Sequence, residues 1–142
     1  MPEGHVHVAL VDLILRAIAE ERGAHAVFTD RAGERAQYRS PNLGGYVPDV
    51  YAVGVRDDDR RDVGEAKSAG DLAAPRTVLQ LRAFLGHLVV FDKPRLLVAV
   101  PFIAVPAAFG MLARLVTPET RHVNVVVLAP HVRRVVAAGW TV

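Results

Sequence analysis

The sequence contains no cysteine, which excludes a disulfide framework and any thiolate metal site. This absence fits a reducing compartment, so we expect a cytoplasmic protein. Aromatic residues are scarce at 6%, so the core of this 51% hydrophobic chain is expected to consist mainly of Ala, Val and Leu. The longest apolar runs, 96–110 and 123–130, fall well short of the roughly 18 residues of a membrane-spanning helix. We therefore expect no membrane association.

The length of 142 residues predicts one domain that spans the whole chain, 1–142. A net charge of +2 is a weak signal for a polyanionic partner, but most of the 17 basic residues are arginine, which suits bidentate phosphate contact. Arg31, Arg35 and Arg39 lie in a segment rich in turn residues, 30–45. We interpret this segment as a basic arm that contacts nucleic acid, and the alternative is a solvated loop.

Hydrophobic periodicity predicts the order α-β-β-β-α-β-α-β. The predicted helices cover 6–22, 75–90 and 106–116, and the predicted strands cover 24–29, 46–55, 61–67, 95–100 and 123–128. Residues 132–142 fit either a short helix or a last strand. A hairpin followed by helical crossovers predicts an α/β fold in which helices flank a mixed central sheet.

The stretch 45–68 reads as two strands joined by a charged turn. Glu65 and Lys67 are two residues apart, so on a strand they point to the same face. Asp49 lies near the start of the neighbouring strand, and two close carboxylates repel by roughly 4 kcal/mol at an effective dielectric constant of about 20. A divalent cation between them would remove that cost, and oxygen ligands suit Mg²⁺. Gly64 and Ala66 face the other way, where their small size lets a helix pack closely.

Pro48-Asp49 followed by Glu65-Ala66-Lys67 resembles the motif of the PD-(D/E)XK nuclease superfamily, whose fold is restriction-endonuclease-like. The predicted order of elements is the one that this fold implies. The resemblance implies a metal-dependent DNA endonuclease that hydrolyses phosphodiester bonds. In it Asp49 and Glu65 bind Mg²⁺ or Mn²⁺, the carbonyl of Ala66 adds a ligand, and Lys67 orients a water molecule or neutralises the phosphate. The alternative is an edge hairpin with a surface salt bridge.

The resemblance also implies roles on the helices. A carboxylate of the first helix can add a metal ligand, for which Asp12 is the better candidate and Glu20 the second. Gln80, on the helix after the motif, can orient Glu65 or the attacking water. The alternatives are a solvent-facing Asp12 and a surface Gln80. Arginines from the loop and from this helix would hold the DNA backbone: Arg31, Arg35, Arg39 and Arg76.

Two other functions compete with the nuclease hypothesis. The first is a catalytically inactive domain of the same fold that binds DNA or a protein, and the second is an unrelated small α/β oligomer. The apolar strands 96–100 and 125–128 need cover on both faces, and only three helices are predicted, so we expect a homodimer. Since no separate recognition domain is evident, we also expect DNA targeting to rely on a dimer or on a partner subunit.

Overall fold

A computed structural model describes residues 2–20, 25–29, 39–55 and 60–136. Six strands form one mixed sheet in sequence order, β1 to β6. The strands are β1 (His25–Thr29), β2 (Val50–Gly54), β3 (Arg60–Ala66), β4 (Lys93–Ala99), β5 (Asn124–Ala129) and β6 (Val132–Val135). The helices are α1 (Pro2–Glu20), α2 (Ala69–Leu72), α3 (Pro75–Leu88) and α4 (Val105–Leu115). The α/β class and the mixed sheet flanked by helices are therefore confirmed.

The direction of the strands changes at β3. β1, β2 and β3 form an antiparallel meander, whereas α3 carries the chain over so that β4 pairs parallel to β3. α4 provides a second crossover to the parallel strand β5, and β6 returns antiparallel to it. The carboxyl ends of β3, β4 and β5 therefore meet at one edge of the sheet, and the Glu65-Ala66-Lys67 segment lies at that edge.

One face of the sheet is covered by α1. Its apolar stripe includes Ile14 and Ile18, which are fully buried against small and branched residues of β2 to β5. The closest approach is at Gly64, where an added Cβ atom would lie 2.5 Å from Cγ2 of Ile14. The predicted close packing of a helix over Gly64 and Ala66 is confirmed.

The opposite face is covered by α3 and α4. Leu81, Phe84 and Leu88 of α3 are completely buried, as is Leu112 of α4, and they pack on the other side chains of β3, β4 and β5. Every residue from Leu96 to Val100 is therefore inaccessible to solvent within a single chain. The reason given for a homodimer, missing cover over the parallel strands, is wrong, because α1 covers one face and α3 with α4 covers the other.

Several element bounds differ from the prediction. β2 begins at Val50 instead of residue 46, because Leu43 and Tyr46 form a separate tight bridge across Gly44 and Gly45, whose φ angles are positive. The short helix α2 and a 3₁₀ turn at Phe102–Ala104 were not predicted, since each lacks a full helical repeat. Residues 132–135 form the strand β6. Within the described residues, no helix has the length and apolarity to cross a membrane.

Candidate active site

The start of β2 and the end of β3 bring two carboxylates together. Val50 pairs with Gly64, so Asp49 and Glu65 lie one step further at the same end of the hairpin. The backbone amide of Asp49 donates a hydrogen bond to Oε1 of Glu65 at 3.0 Å. In return, the amide of Ala66 donates to Oδ2 of Asp49 at 2.8 Å. Each carboxylate is thus held by a backbone amide of the opposite strand.

Glu65 also receives two side-chain donors on the α3 side of the sheet. Gln80 of α3 donates from Nε2 to Oε2 of Glu65 at 2.7 Å. Nζ of Lys67 lies 3.3 Å from the same oxygen, as expected for residues two apart on a strand. The structure therefore brings Asp49, Glu65, Lys67 and Gln80 together, and Gln80 is in a position to orient Glu65.

The environment of Glu65 opposes its ionisation. Glu65 is only 4% exposed, and burial is the main cause that raises its pKa to about 8. The negative charge of Asp49 raises this pKa further, whereas the ammonium of Lys67 opposes the rise. Burial and the charge of Asp49 therefore shift the ionisation of Glu65 towards its neutral form when no metal ion is bound. Such a raised pKa beside a second carboxylate is typical of functional sites.

The amide of Gln80 suits either protonation state of Glu65. Its Nε2 donates to the carboxylate, which leaves the buried Oε1 atom without a hydrogen-bond partner. A half-turn of the amide would direct Oε1 towards Glu65, where it could accept the proton of the neutral acid. Gln80 can therefore follow the change of charge on Glu65 without leaving its place on α3.

His7 of α1 contacts the carboxylate pair. Its Nε2 atom lies 3.3 Å from Oδ1 of Asp49. Asp12 is half-buried and lies about 7.5 Å further along α1, about 140° around the helix axis from His7. Glu20 pairs with Arg133 at 3.7 Å near β6, about 20 Å from His7 along the axis. The distance to the carboxylates removes Glu20 as a ligand candidate.

The ligands at this site suit Mg²⁺, which takes part of its coordination from water and substrate, better than a metal whose ligands all come from the protein. Two hard carboxylates converge, and their repulsion is visible in the raised pKa of Glu65. Among the described residues, no group of three or more His, Cys, Asp and Glu side chains is arranged to hold a metal ion. Mg²⁺ is usually bound by one or two carboxylates together with waters and substrate phosphates, so the pair Asp49 and Glu65 meets its requirement.

Of the four predicted DNA-binding arginines, the structure describes two, Arg39 and Arg76, and both are exposed. Arg76 is exposed on the first turn of α3, and its guanidinium carbon lies 4.9 Å from the ring centroid of Tyr46. Arg76 precedes Gln80 by four residues, so both lie on the same side of α3. Arg39 is exposed on the segment before β2, and Arg31 and Arg35 lie outside the described residues. Arg76 thus lies one helical turn along α3 from Gln80, which contacts Glu65.

Some residues of the site were missed from the sequence. His7 was not distinguished from His5, because both lie on the polar side of α1 and no local pattern marks the one that reaches Asp49. The predicted role of the Ala66 carbonyl as a metal ligand stays a prediction. The amide of Ala66 binds Asp49, and its side chain is buried under α1.

Comparisons with protein-family models, with curated proteins and with solved structures give no match.

Proposed function

We propose that this chain is a metal-dependent deoxyribonuclease of the PD-(D/E)XK type with a restriction-endonuclease-like fold. One observation carries the proposal: the reciprocal backbone clamp between Asp49 and Glu65, with Lys67 3.3 Å from Glu65. The order of the elements from α1 to β5, with a meander before the first parallel crossover, supports it because the motif resemblance implies the same order.

The roles of the residues follow from their contacts. Asp49 and Glu65 would hold Mg²⁺ or Mn²⁺, which lowers the pKa of a water molecule and stabilises charge on the leaving oxygen. Lys67 places the ammonium nearest the carboxylates and would neutralise the charge that develops on the phosphate. Gln80 fixes the orientation of Glu65, and His7 fixes that of Asp49. Arg76 would bind a flanking phosphate.

A non-enzymatic module of the same fold is the second candidate. One observation favours it: all four carboxylate oxygens of Asp49 and Glu65 already have contacts with protein groups. A purely structural network would look the same. In this case the chain would bind DNA or a partner protein without turnover.

Metal titration and a cleavage assay separate the two candidates. Plasmid and single-stranded DNA are incubated with the protein and Mg²⁺ or Mn²⁺, and EDTA is the control. A nuclease is expected to nick DNA only with the metal, and Asp49→Asn and Glu65→Gln are each expected to abolish both nicking and calorimetric metal binding. If the parent neither cleaves nor binds a divalent cation with DNA present, the non-enzymatic candidate replaces the nuclease.

A further inference from the structure

A cavity of about 790 Å³ opens between α3, β2 and the segment before β2. Its size falls within the usual range of about 300–1,000 Å³ for ligand sites. The walls are largely apolar, with Phe28, Leu43 and Val53 among them, and the polar groups that reach the cavity include Arg39 and Arg61. A mostly apolar wall with a few converging polar groups is typical of a site for a planar organic ligand.

A pair of hydrogen-bonded aromatic side chains lies at the inner wall of the cavity. Tyr51 Oη and His87 Nε2 are 2.8 Å apart, and their ring centroids are separated by 5.5 Å. Burial raises the pKa of Tyr51 and lowers that of His87, and the charge of Arg61 lowers the pKa of His87 further. Both groups are therefore neutral near pH 7, and they offer ring faces and edges without a charge.

The cavity lies near the carboxylate site along both β2 and α3. Tyr51 follows Asp49 by two residues, so the two backbone positions lie about 7 Å apart along the chain. On α3, His87 follows Gln80 by seven residues, which is two turns on the same side of the helix, about 10.5 Å away. The cavity and the side chain of Glu65, to which Gln80 donates, therefore both face α3.

We propose that this cavity, which we name the base cavity, holds one nucleobase of the DNA strand whose phosphate lies at Asp49 and Glu65. This inference rests on the proposed nuclease function. Nucleotides repeat at about 3.4 Å along a stacked strand and lie further apart in an unstacked one, so a distance of about 7 Å corresponds to the first or second nucleotide beside the phosphate. The base would have to be unstacked, which favours single-stranded DNA or a strand end over an intact duplex.

The lining supports a nucleotide over a simple apolar ligand. Phe28 and His87 are partly exposed and offer rings on which a base can stack, whereas Tyr51, at 8% exposure, supports His87 from behind. The guanidinium groups of Arg39 and Arg61 can meet the phosphates on either side of the base. Arg61 is itself held in place, since its guanidinium carbon lies 4.4 Å from the ring centroid of Phe91. Arg76, at the other end of α3, continues the basic track past the carboxylates.

A pair of short oligonucleotides measures the contribution of the bases. Single-stranded tetrathymidylate is compared with a tetranucleotide of equal charge in which every base is absent, with Ca²⁺ replacing Mg²⁺ to limit turnover. Fluorescence anisotropy gives both affinities. Stacking of one base on aromatic side chains changes affinity by about 5- to 150-fold, and we expect the thymidylate to bind more tightly by that ratio.

A substitution in the cavity wall distinguishes the contribution of the base cavity to DNA affinity from that of other base contacts. Ala83, on the side of α3 that lines the cavity, is changed to Leu to fill the space without altering charge. Ala107→Leu, on the exposed face of α4, adds the same side chain elsewhere. The ratio of the affinity for tetrathymidylate to that for the base-free tetranucleotide is expected to fall close to one in Ala83→Leu. In Ala107→Leu this ratio should stay at the parental value.

The unaltered protein provides a measurement that does not depend on the folding of a variant. Thymidine 5′-phosphate is titrated while the histidine ring protons are followed by NMR, with His87 assigned by loss of its signal in His87→Ala. We expect the His87 resonance to shift, while that of His131, in the turn between β5 and β6 beside α1, stays in place.

The outcomes distinguish the two proposals. A parent that cleaves DNA but shows a ratio near one, or whose ratio survives Ala83→Leu, overturns the base cavity and leaves the nuclease intact. An unmoved His87 resonance at saturating nucleotide also overturns it. A parent that neither cleaves nor binds either oligonucleotide overturns both proposals together.

Discussion

The amide of Asp49 binds the side chain of Glu65, and the amide next to Glu65 binds the side chain of Asp49. This reciprocal arrangement fixes the two carboxylates to the backbone of a paired hairpin instead of to flexible loops. A site built on strands is held more precisely than one on loops, which is what metal-dependent chemistry requires.

Replacement of Lys67 by Ala tests its role in catalysis. Lys67 is the ammonium next to Glu65, but for DNA binding it is one charge among many arginines. We expect single-turnover cleavage to fall by about 10²–10³, as for the loss of one transition-state stabiliser, while the salt slope of DNA binding changes by about one. Arg82→Ala, at an exposed site of α3, is the control. Cleavage at the parental rate in Lys67→Ala would show that Lys67 has no catalytic role.

Three variants of α1 decide which residue of the helix serves the site. His7 contacts Asp49, so His7→Ala is expected to weaken Mn²⁺ binding by about 10- to 100-fold, the usual effect of losing a group that orients a metal ligand. His5→Ala removes an exposed histidine from the same turn and is expected to change nothing. Calorimetry measures all three. A larger loss in Asp12→Asn than in His7→Ala would restore Asp12 as the first-helix ligand.

The pKa of Glu65 predicts how stability depends on pH in the metal-free protein. Because this pKa is raised from its ordinary value of 4.5 to about 8, the folded state binds a proton that the unfolded state has lost. The contribution is complete below about pH 4.5 and is lost as the pH rises through 8, at up to 1.36 kcal/mol per pH unit. In total this is on the order of 5 kcal/mol.

Glu65→Gln provides the comparison, because its side chain stays neutral. In EDTA, denaturant titration from pH 5 to 8.5 is expected to show a smaller decline for Glu65→Gln than for the parent, with the variant the more stable protein at pH 8. Glu20→Gln changes an exposed carboxylate at the end of α1 and should follow the parental profile. Parallel profiles for the parent and Glu65→Gln would contradict the raised pKa.

Packing between α1 and the sheet depends on Gly64. A methyl group there would lie 2.5 Å from Ile14, so Gly64→Ala is expected to destabilise the fold by about 1–3 kcal/mol or more through overpacking. Gly86→Ala is the matched control: this glycine lies on α3 with no atom within 4 Å of the added Cβ, and the change should stabilise the helix by up to about 1 kcal/mol. Thermal unfolding gives both values, and equal melting temperatures in the two variants would refute the contact.

The strand and helix pattern was predictable because it depends on local periodicity. The order of residues in β3 predicted that the small residues Gly64 and Ala66 face a helix and that Glu65 points to the opposite face. The structure agrees. The nearness of Asp49 to Glu65 followed from antiparallel pairing. These are contacts within a hairpin, for which the sequence limits the possible arrangements to a few.

Contacts between distant elements were not predictable in this way. The contact between His7 and Asp49 joins α1 to β2, and the pair of Tyr51 and His87 joins β2 to α3. The buried ion pair of Asp62 and Arg95 links β3 to β4 at 3.0 Å. Each depends on the angle and register of packing, and these are set by all the side chains of the interface together.

The chain builds most of its candidate site from one continuous stretch, 49–80. The hairpin and α3 supply Asp49, Glu65, Lys67 and Gln80, whereas His7 comes from α1, outside this stretch. The consequence is that changes confined to this one stretch can alter the carboxylate pair, whereas the position of the imidazole depends on how α1 packs against the sheet.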